Sequence, residues 1–351
     1  MLISDFSYEL PEESIAQQPA PRGRSRLMVL EGERPEDRKI GDLPDLLRPG
    51  DLLVVNDTRV IPARLFGHSE PGGARVELLL ARRLGERDWL SLARPGRRAR
   101  PGRRIRFDDG LWAEVVGRPA SGRFHLRFSE PVESHLERIG HVPLPPYIRR
   151  PDAPDDRERY QTVYARRPGA IAAPTAGLHF TPELLARVEE RGVGIARITL
   201  HVGIGTFQPV RAKLVHEHRM EEEEIEISEE TVSAVRATRA DGGRVVAVGT
   251  TVVRALETAA RAPGGLAARS GPTGLFITPG FAFRVVDRLL TNFHLPRSTL
   301  LLLVCAFGGR RRVLDAYRQA VAWDYRFYSY GDAMLLSPPP GGPSSDVSGA
   351  G

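Results

Sequence analysis

The sequence predicts a two-domain α/β protein, on three observations. Its 351 residues, 41% of them hydrophobic, suit two domains with a sizeable core. Buried-strand runs alternate with capped helical segments before residue 66 and after 150. Between them, residues 67 to 149 change to short β-type runs separated by turns. The lone Cys305 rules out a disulfide framework and a cysteine zinc site, and suits a reducing cytosol. The opening MLISDFSYELPEESIAQQPA lacks the basic region and apolar block of a secretory signal. No apolar run reaches the ~20 residues of a membrane span. A cytoplasmic protein without a membrane partner is expected.

Charge narrows the partner. The formal net charge is +6, and Lys39 and Lys213 are the two lysines among 50 basic residues. Arginine's planar fork suits phosphate, so a nucleic-acid partner is one reading. Genomic base composition is the other, and it accounts for the Arg/Lys ratio better than for the positive balance.

Taken in order, Glu12 to Gln18 reads as a short helix broken by Pro19 and Pro21. Arg22, Arg24 and Arg26 lead into a strand at Leu27–Leu30. After the Pro49-Gly50 turn, Asp51–Val55 is a buried strand that delivers Asn56, Asp57 and Arg59 at its end. Strand ends are where α/β proteins place ligands. An Asn-Asp turn with Asp57 and Arg59 paired is the alternative. Five or six short strands at 67–149 suit a small β-barrel or sandwich, with Asp109-Gly110 a hairpin signal. Its turns carry Arg94, Arg97, Arg98, Arg100, Arg103 and Arg104, for RNA or for solubility. Pro143–Tyr147 closes the segment as a stiff linker.

Beyond 150, Arg157–Ala165 leads into a helix or strand, and a loop then presents Thr175 and His179 just before a helix capped by Thr181 and opened by Pro182. The strand Val193–Val202 runs into His201, Gly203, Gly205 and Thr206, where two glycines permit close backbone approach, to a ligand or in a tight turn. His216, Glu217, His218 and the acidic run from Glu221 lack the spacing of a zinc site, so no metal is expected. Ser228 caps the helix Glu229–Ala240. The strand Arg244–Val248 then turns through Gly249, Thr250 and Thr251 into a helix carrying Arg254, which exposes backbone N–H groups. Pro263–Gly274 reads as a loop, Leu275–Ile277 and Phe281–Phe293 as strand-like, Val313–Val321 as a helix. The segment WDYRFYSYGDAMLL reads as a last strand that offers Tyr325, Tyr328, Tyr330 and Asp332 to a ligand. The tail from 338 has the composition of disorder.

The chain is organised around TNFHLPRSTLLLLVCAF, residues 291 to 307. Its apolar second half must be buried, Pro296 stops a helix from the left, and Ser298 or Thr299 caps a new one that Gly308-Gly309 ends. Asn292, His294, Arg297 and Ser298 therefore gather at a helix N-terminus, as an anion site or as a satisfied polar cap.

The blocks GDLLVVNDTRVIPARL, YQTVYA, AAPTAGLHFT, ITLHVGIGTFQPV, VVAVGTTVVRALE, TNFHLPRSTLLLLVCAF and AYRQAVAWDYRFYSYGDAML resemble the S-adenosylmethionine:tRNA ribosyltransferase-isomerases of queuosine biosynthesis. The resemblance covers residues 1 to 336 in order and is weakest at 67–142. Glu221 departs from it, standing where the family commonly has a second His. The resemblance implies a large mixed α/β domain at 1–66 and 150–337, with an inserted small antiparallel β-barrel domain at 67–149. It implies that the ribosyl part of S-adenosylmethionine moves to 7-aminomethyl-7-deazaguanine at the tRNA wobble position and isomerises to an epoxycyclopentane. Adenine and methionine leave. S-adenosylmethionine is then a co-substrate, no prosthetic group is needed, the tRNA anticodon stem-loop is the partner, and a monomer is expected.

This chemistry needs a base for the C5′ hydrogens, which the sulfonium acidifies, and gains from an acid at the leaving adenine; His179, His201 and His294 are the candidates. Ser298 with Arg297, or Thr250-Thr251 with Arg254, would hold the methionine carboxylate. Asp57 and Asp332 could hold the aminomethyl group. An ordinary RNA methyltransferase is disfavoured by the missing Gly-rich first turn. A non-catalytic RNA binder is disfavoured by polar groups concentrated outside the barrel.

Overall fold

The computed structural model describes residues 1–119, 122–207, 210 and 212–339, except the side chains of Thr206 and Phe207. The expected disordered tail lies outside the described residues from 340 on. Among the described residues the large domain is built on a nine-stranded sheet. Its strands run in the order Arg269–Thr273, Glu223–Ile227, Gly194–Leu200, Leu52–Asn56, Val245–Val248, Arg288–Asn292, Ala333–Leu336, Arg26–Leu30 and Glu36–Lys39. The four from Gly194–Leu200 to Arg288–Asn292 are mutually parallel, and Ala333–Leu336 runs against them.

The core strands are apolar throughout because both faces are covered. Alternate residues serve different cores. Leu52, Val54, Val245, Ala247 and Leu289 join one cluster, with the helices Thr250–Ala259, Thr299–Gly308 and Arg310–Ala322. Leu53, Val55, Val246, Val248 and Leu290 join the other, with Phe180 and the helix Pro182–Glu190. The expected caps form. Thr181, Ser228 and Ser298 accept from the N–H groups of Leu184, Thr231 and Leu301.

Six antiparallel strands close into a barrel: Arg64–Glu70, Ala74–Arg83, Asp88–Arg94, Phe124–Phe128, Trp112–Gly117 and Arg104–Arg106, the last pairing back with the first. Closure removes free strand edges. Gly67 sits at the closing seam, where a Cβ would come within 2.8 Å of the Arg106 carbonyl oxygen. The first barrel strand starts at Arg64 and a seventh strand, Gly140–His141, pairs with it. Ile171 and Ile204 of the large domain complete the barrel's apolar core.

Several local expectations are corrected. Glu12–Ser14 is a single 3-10 turn, because Ile15 and Ala16 engage Phe327 instead of continuing a helix. The segment read from Arg157 gives one helical turn at Asp156–Arg159 and then the expected strand, Arg167–Ala170, paired with Thr58–Val60. Arg269–Thr273, within the expected loop, is an edge strand zipped to Glu223–Ile227. Residues 275–277 and 281–287 are not strands; the Glu257 carboxylate, fully buried, accepts the N–H groups of Arg284, Val285 and Val286 in place of a ladder. The last strand is Ala333–Leu336 alone, since Asp324 and Tyr328 turn the preceding chain at positive φ.

Leu301 is fully buried in the helix Thr299–Gly308. Leu301→Ala is expected to cost ~2–5 kcal/mol of unfolding free energy, measured by denaturant titration.

Candidate active site

The four parallel strands end together at Asn56, Leu200, Val248 and Asn292. Beyond their carboxyl ends lies a cavity of about 360 Å³. Such an edge is the usual ligand site of an open α/β sheet. Two helix starts open onto it: Gly249-Thr250-Thr251, and Ser298 with Leu300. Gly249, at φ 94°, makes the sharp entry into its helix. Ala172–Ala176, His294–Arg297, Tyr147, Tyr328 and Ser329 form other parts of the wall.

Arg254 reaches the cavity from the first of these helices. It is buried, ion-paired with the buried Glu223, and its Nε donates to the Leu275 carbonyl at 3.1 Å. Its Nη2 has no hydrogen-bond partner among the described residues. The same holds for Asn292 Oδ1 and the Tyr328 hydroxyl. Buried polar atoms without partners are rare, and three in one cavity wall point to a ligand.

His294 is buried in that wall with Nε2 2.8 Å from Thr291 Oγ1. Its N–H donates to the Tyr317 hydroxyl at 3.2 Å, and its carbonyl accepts from Tyr8 at 2.5 Å. Burial pushes its pKa down to about 3, so it is neutral at pH 7.

The family model described as "Queuosine biosynthesis protein" matches residues 3–336. The chain belongs to this queuosine biosynthesis protein family. It is 56% identical over 341 residues to the S-adenosylmethionine:tRNA ribosyltransferase-isomerase of Gloeobacter violaceus, covering 96% of each chain. It is 57% identical to the protein of the same name from Xylella fastidiosa (strain M23), covering 95% of this chain and 97% of that one. A solved structure of an S-adenosylmethionine tRNA ribosyltransferase from Thermotoga maritima is 42% identical, with a TM-score of 0.55 and coverage of 95% of this chain and 99% of that one.

In this queuosine biosynthesis protein, eight of the expected site residues line the cavity: Thr175, Thr250, Thr251, Arg254, Asn292, His294, Arg297 and Ser298. Others are placed elsewhere. His179 borders a separate pocket of about 20 Å³, with Nδ1 2.8 Å from Ser25 Oγ. Burial lowers its pKa to about 4, against the upward pull of Asp332 and the neighbouring Asn292. His201 Nδ1 is 2.8 Å from Thr58 Oγ1, and burial lowers its pKa against the pull of Asp57.

Asn56 is fully buried and spends its amide on the chain: Leu200 N–H and C=O, Thr58 N–H and Thr251 Oγ1. Asp57, also buried, accepts from Thr199 Oγ1 at 2.6 Å and pairs with Arg166 at 3.2 Å. Arg59 is exposed beside a pocket of about 40 Å³. Gly203 N–H donates to Glu223 at 2.8 Å, and Gly205 faces Glu221, which pairs with Arg123 of the barrel. Tyr325 donates to Asp37 at 2.6 Å, and Asp332 accepts the N–H groups of Arg26 and Arg326. The Thr206 side chain lies outside the described residues.

Tyr328, which the sequence offers to a ligand, lines the cavity; Tyr147, Arg149 and Ser329 line it too and are not singled out by the sequence. The only sequence signal for these three is an aromatic at the end of the Pro-rich linker.

The buried histidines set an acid limb. An unfolded His protonates near pH 6.5, while His294 and His179 stay neutral until about 3 and 4. The unfolded state therefore binds more protons below pH 6.5, and stability must fall as pH falls, by about 1.4 kcal/mol per pH unit for each. Denaturant titrations from pH 7 to 5 should show this slope, and His294→Asn should reduce it.

Proposed function

We propose that this chain is a tRNA-modifying enzyme that moves the ribosyl part of S-adenosylmethionine onto 7-aminomethyl-7-deazaguanine at the wobble position and isomerises it. The products are epoxyqueuosine tRNA, adenine and methionine. The carrying observation is the cavity at the sheet edge, with two helix N-termini, a neutral buried His294 and Arg254 Nη2, unpartnered among the described residues, in its wall. The relatives' names support it.

The helix starts at Thr250-Thr251 and Ser298, with Arg254 and Arg297, suit the methionine carboxylate. His294, held neutral and oriented by Thr291, is the proton acceptor for the C5′ position. His179 and His201, outside the cavity wall, position neighbouring groups. Residues 1–66 and 150–337 form the catalytic domain, and 67–149 the insert. The enzyme is a cytoplasmic monomer that needs no prosthetic group.

The barrel supplies a surface for the tRNA anticodon stem-loop. Arg94, Arg97, Arg98, Arg100 and Arg104 are exposed on one of its turns and the strand ends beside it, with no carboxylate partner among the described residues. Arg104 instead stacks on Trp112 at 4.5 Å. At the same end of the barrel, Gly96 approaches Phe124, next to the Arg123 that pairs with Glu221. tRNA affinity is expected to fall steeply between 50 and 200 mM salt, and charge reversal at Arg97, Arg98 and Arg100 should weaken tRNA more than S-adenosylmethionine. Filter binding at several salt concentrations checks both.

A methyltransferase would use the same co-substrate but attack the methyl carbon and leave S-adenosylhomocysteine. Ribosyl transfer breaks the bond from sulfur to C5′ and the glycosidic bond. tRNA bearing 7-aminomethyl-7-deazaguanine should therefore acquire label from the ribose of S-adenosylmethionine and none from its methyl group. Chromatography should show adenine and methionine in equal amounts; S-adenosylhomocysteine as the main product would overturn the assignment.

A further inference from the structure

Tyr328 carries two costs that its fold does not explain. Its φ is 74°, a left-handed conformation that glycine adopts freely and a bulky residue rarely does. Its hydroxyl is buried without a hydrogen-bond partner, although the residue is only 7% exposed. A glycine here would relieve the backbone, and a phenylalanine would relieve the hydroxyl. Strain of this kind gathers at ligand sites, where the surroundings hold it in place.

The neighbourhood defines what the ligand must offer. The Asn292 amide donates to the Tyr328 carbonyl at 2.9 Å, which fixes its orientation and leaves Oδ1 as a buried acceptor with no partner. His179 is its polar neighbour: the Asn292 side chain pulls the histidine's pKa up against burial, although neither Nε2 nor Oδ1 has a full hydrogen bond among the described residues. The Tyr328 ring lies 4.2 Å from the Tyr147 ring, and the Tyr147 hydroxyl is fixed 2.6 Å from Ser329 Oγ. Asn292, Tyr328, Tyr147 and Ser329 line the cavity, and His179 borders the small pocket beside it. A donor, an acceptor and two aromatic faces stand together. The acceptor disfavours a carboxylate, and the rings favour a flat group. Arg254 is tethered to Glu223, on the far side of the strand Leu52–Asn56 from Asn292, so anion binding and this cluster occupy different parts of the wall.

We propose that Tyr328, Asn292 and Tyr147 form a nucleobase subsite, which takes a purine-type edge presenting a hydrogen-bond donor beside an acceptor. Asn292 Oδ1 accepts from the base, Tyr328 donates to it, and Tyr147 supports it by stacking. The subsite rests on reading the cavity as the site of ribosyl transfer, which brings two such bases: the adenine of S-adenosylmethionine and the deazaguanine of the tRNA.

The test is equilibrium binding to full-length wild type and Tyr328→Phe, with three probes measured separately: S-adenosylmethionine, free adenine, and an anticodon stem-loop RNA carrying 7-aminomethyl-7-deazaguanine. Melting temperatures are measured alongside. Tyr328→Phe keeps the ring and relieves the hydroxyl, so it is expected to melt at or above wild type while losing about tenfold in affinity, the worth of one buried hydrogen bond. Loss for S-adenosylmethionine and adenine with the RNA unchanged assigns the co-substrate's adenine; loss for the RNA alone assigns the deazaguanine. Tyr147→Leu should weaken the same probe. Unchanged affinity for all three would overturn the subsite and leave the enzyme's function standing. Loss for S-adenosylmethionine with adenine unchanged would move the contact to the sugar and overturn the nucleobase assignment. Wild type that binds none of the three would overturn the functional reading itself.

Discussion

The cavity depends on one amide. Asn56 ends the central strand, is fully buried, and makes four hydrogen bonds. Two join it to both backbone groups of Leu200, one to the Thr58 N–H, one to the Thr251 hydroxyl. It therefore sets the end of the neighbouring parallel strand, the exit of the chain toward the barrel, and the first turn of the helix that carries Arg254. An asparagine amide has two donors and room for two acceptor bonds, and here all are used. An aspartate would lack the donors, and a glutamine would reach too far. Val202, Gly249–Thr251 and Phe293–Ser298 of the cavity wall leave from the ends of strands parallel to this one.

A second set of buried polar groups ties the edges to that centre. Glu223 lies on the strand Glu223–Ile227, two strands from Asn56, yet it binds Arg254 and the Gly203 N–H. Buried ion pairs are weak sources of stability, because desolvation offsets their attraction. Their value here is geometric. Arg254 cannot swing away while Glu223 and the Leu275 carbonyl hold its Nη1 and Nε, so its Nη2 keeps one position. The Glu257 carboxylate does similar work for residues 284–286, which lead into the strand that ends at Asn292.

The elements that could be read from sequence were those specified by neighbours in the chain. Runs such as LLVV and VVAV announce doubly covered strands, and Ser228, Ser298 and Thr181 announce helix starts, because these signals are local. The strand Arg269–Thr273 contains Gly271 and Pro272 and carries no local signal; its partner Glu223–Ile227 creates it. The site was half legible for the same reason. Asn56, Asp57, Asn292 and Arg297 all stand at strand or helix ends, and sequence places them there. Whether such a residue faces a ligand or the chain is settled by distant groups. Leu200 and Thr251 occupy Asn56, and Thr199 and Arg166 occupy Asp57. Asn292 Oδ1 has no full hydrogen bond among the described residues and only His179 as a polar side-chain neighbour. Tyr328 is legible as a residue on offer to a ligand, but its strain lies in a backbone angle that no composition reveals.

The charge arrangement of the cavity follows from these contacts and suits its proposed substrate. Three arginines line it: Arg149, Arg254 and Arg297. Arg149 is paired with Glu12 and Arg254 with Glu223. Burial keeps His294 neutral, and the same holds for His179 behind Asn292. Arg297 is then the one lining cation without a carboxylate partner among the described residues, and it is exposed. S-adenosylmethionine brings a sulfonium cation beside an amino-acid carboxylate. A site rich in free positive charge would hold the carboxylate and repel the sulfonium. Partial charges at two helix starts attract the carboxylate locally and fall off within a turn. Burial of the histidines is therefore more than a packing consequence: it lets basic side chains stand near a cation without opposing it.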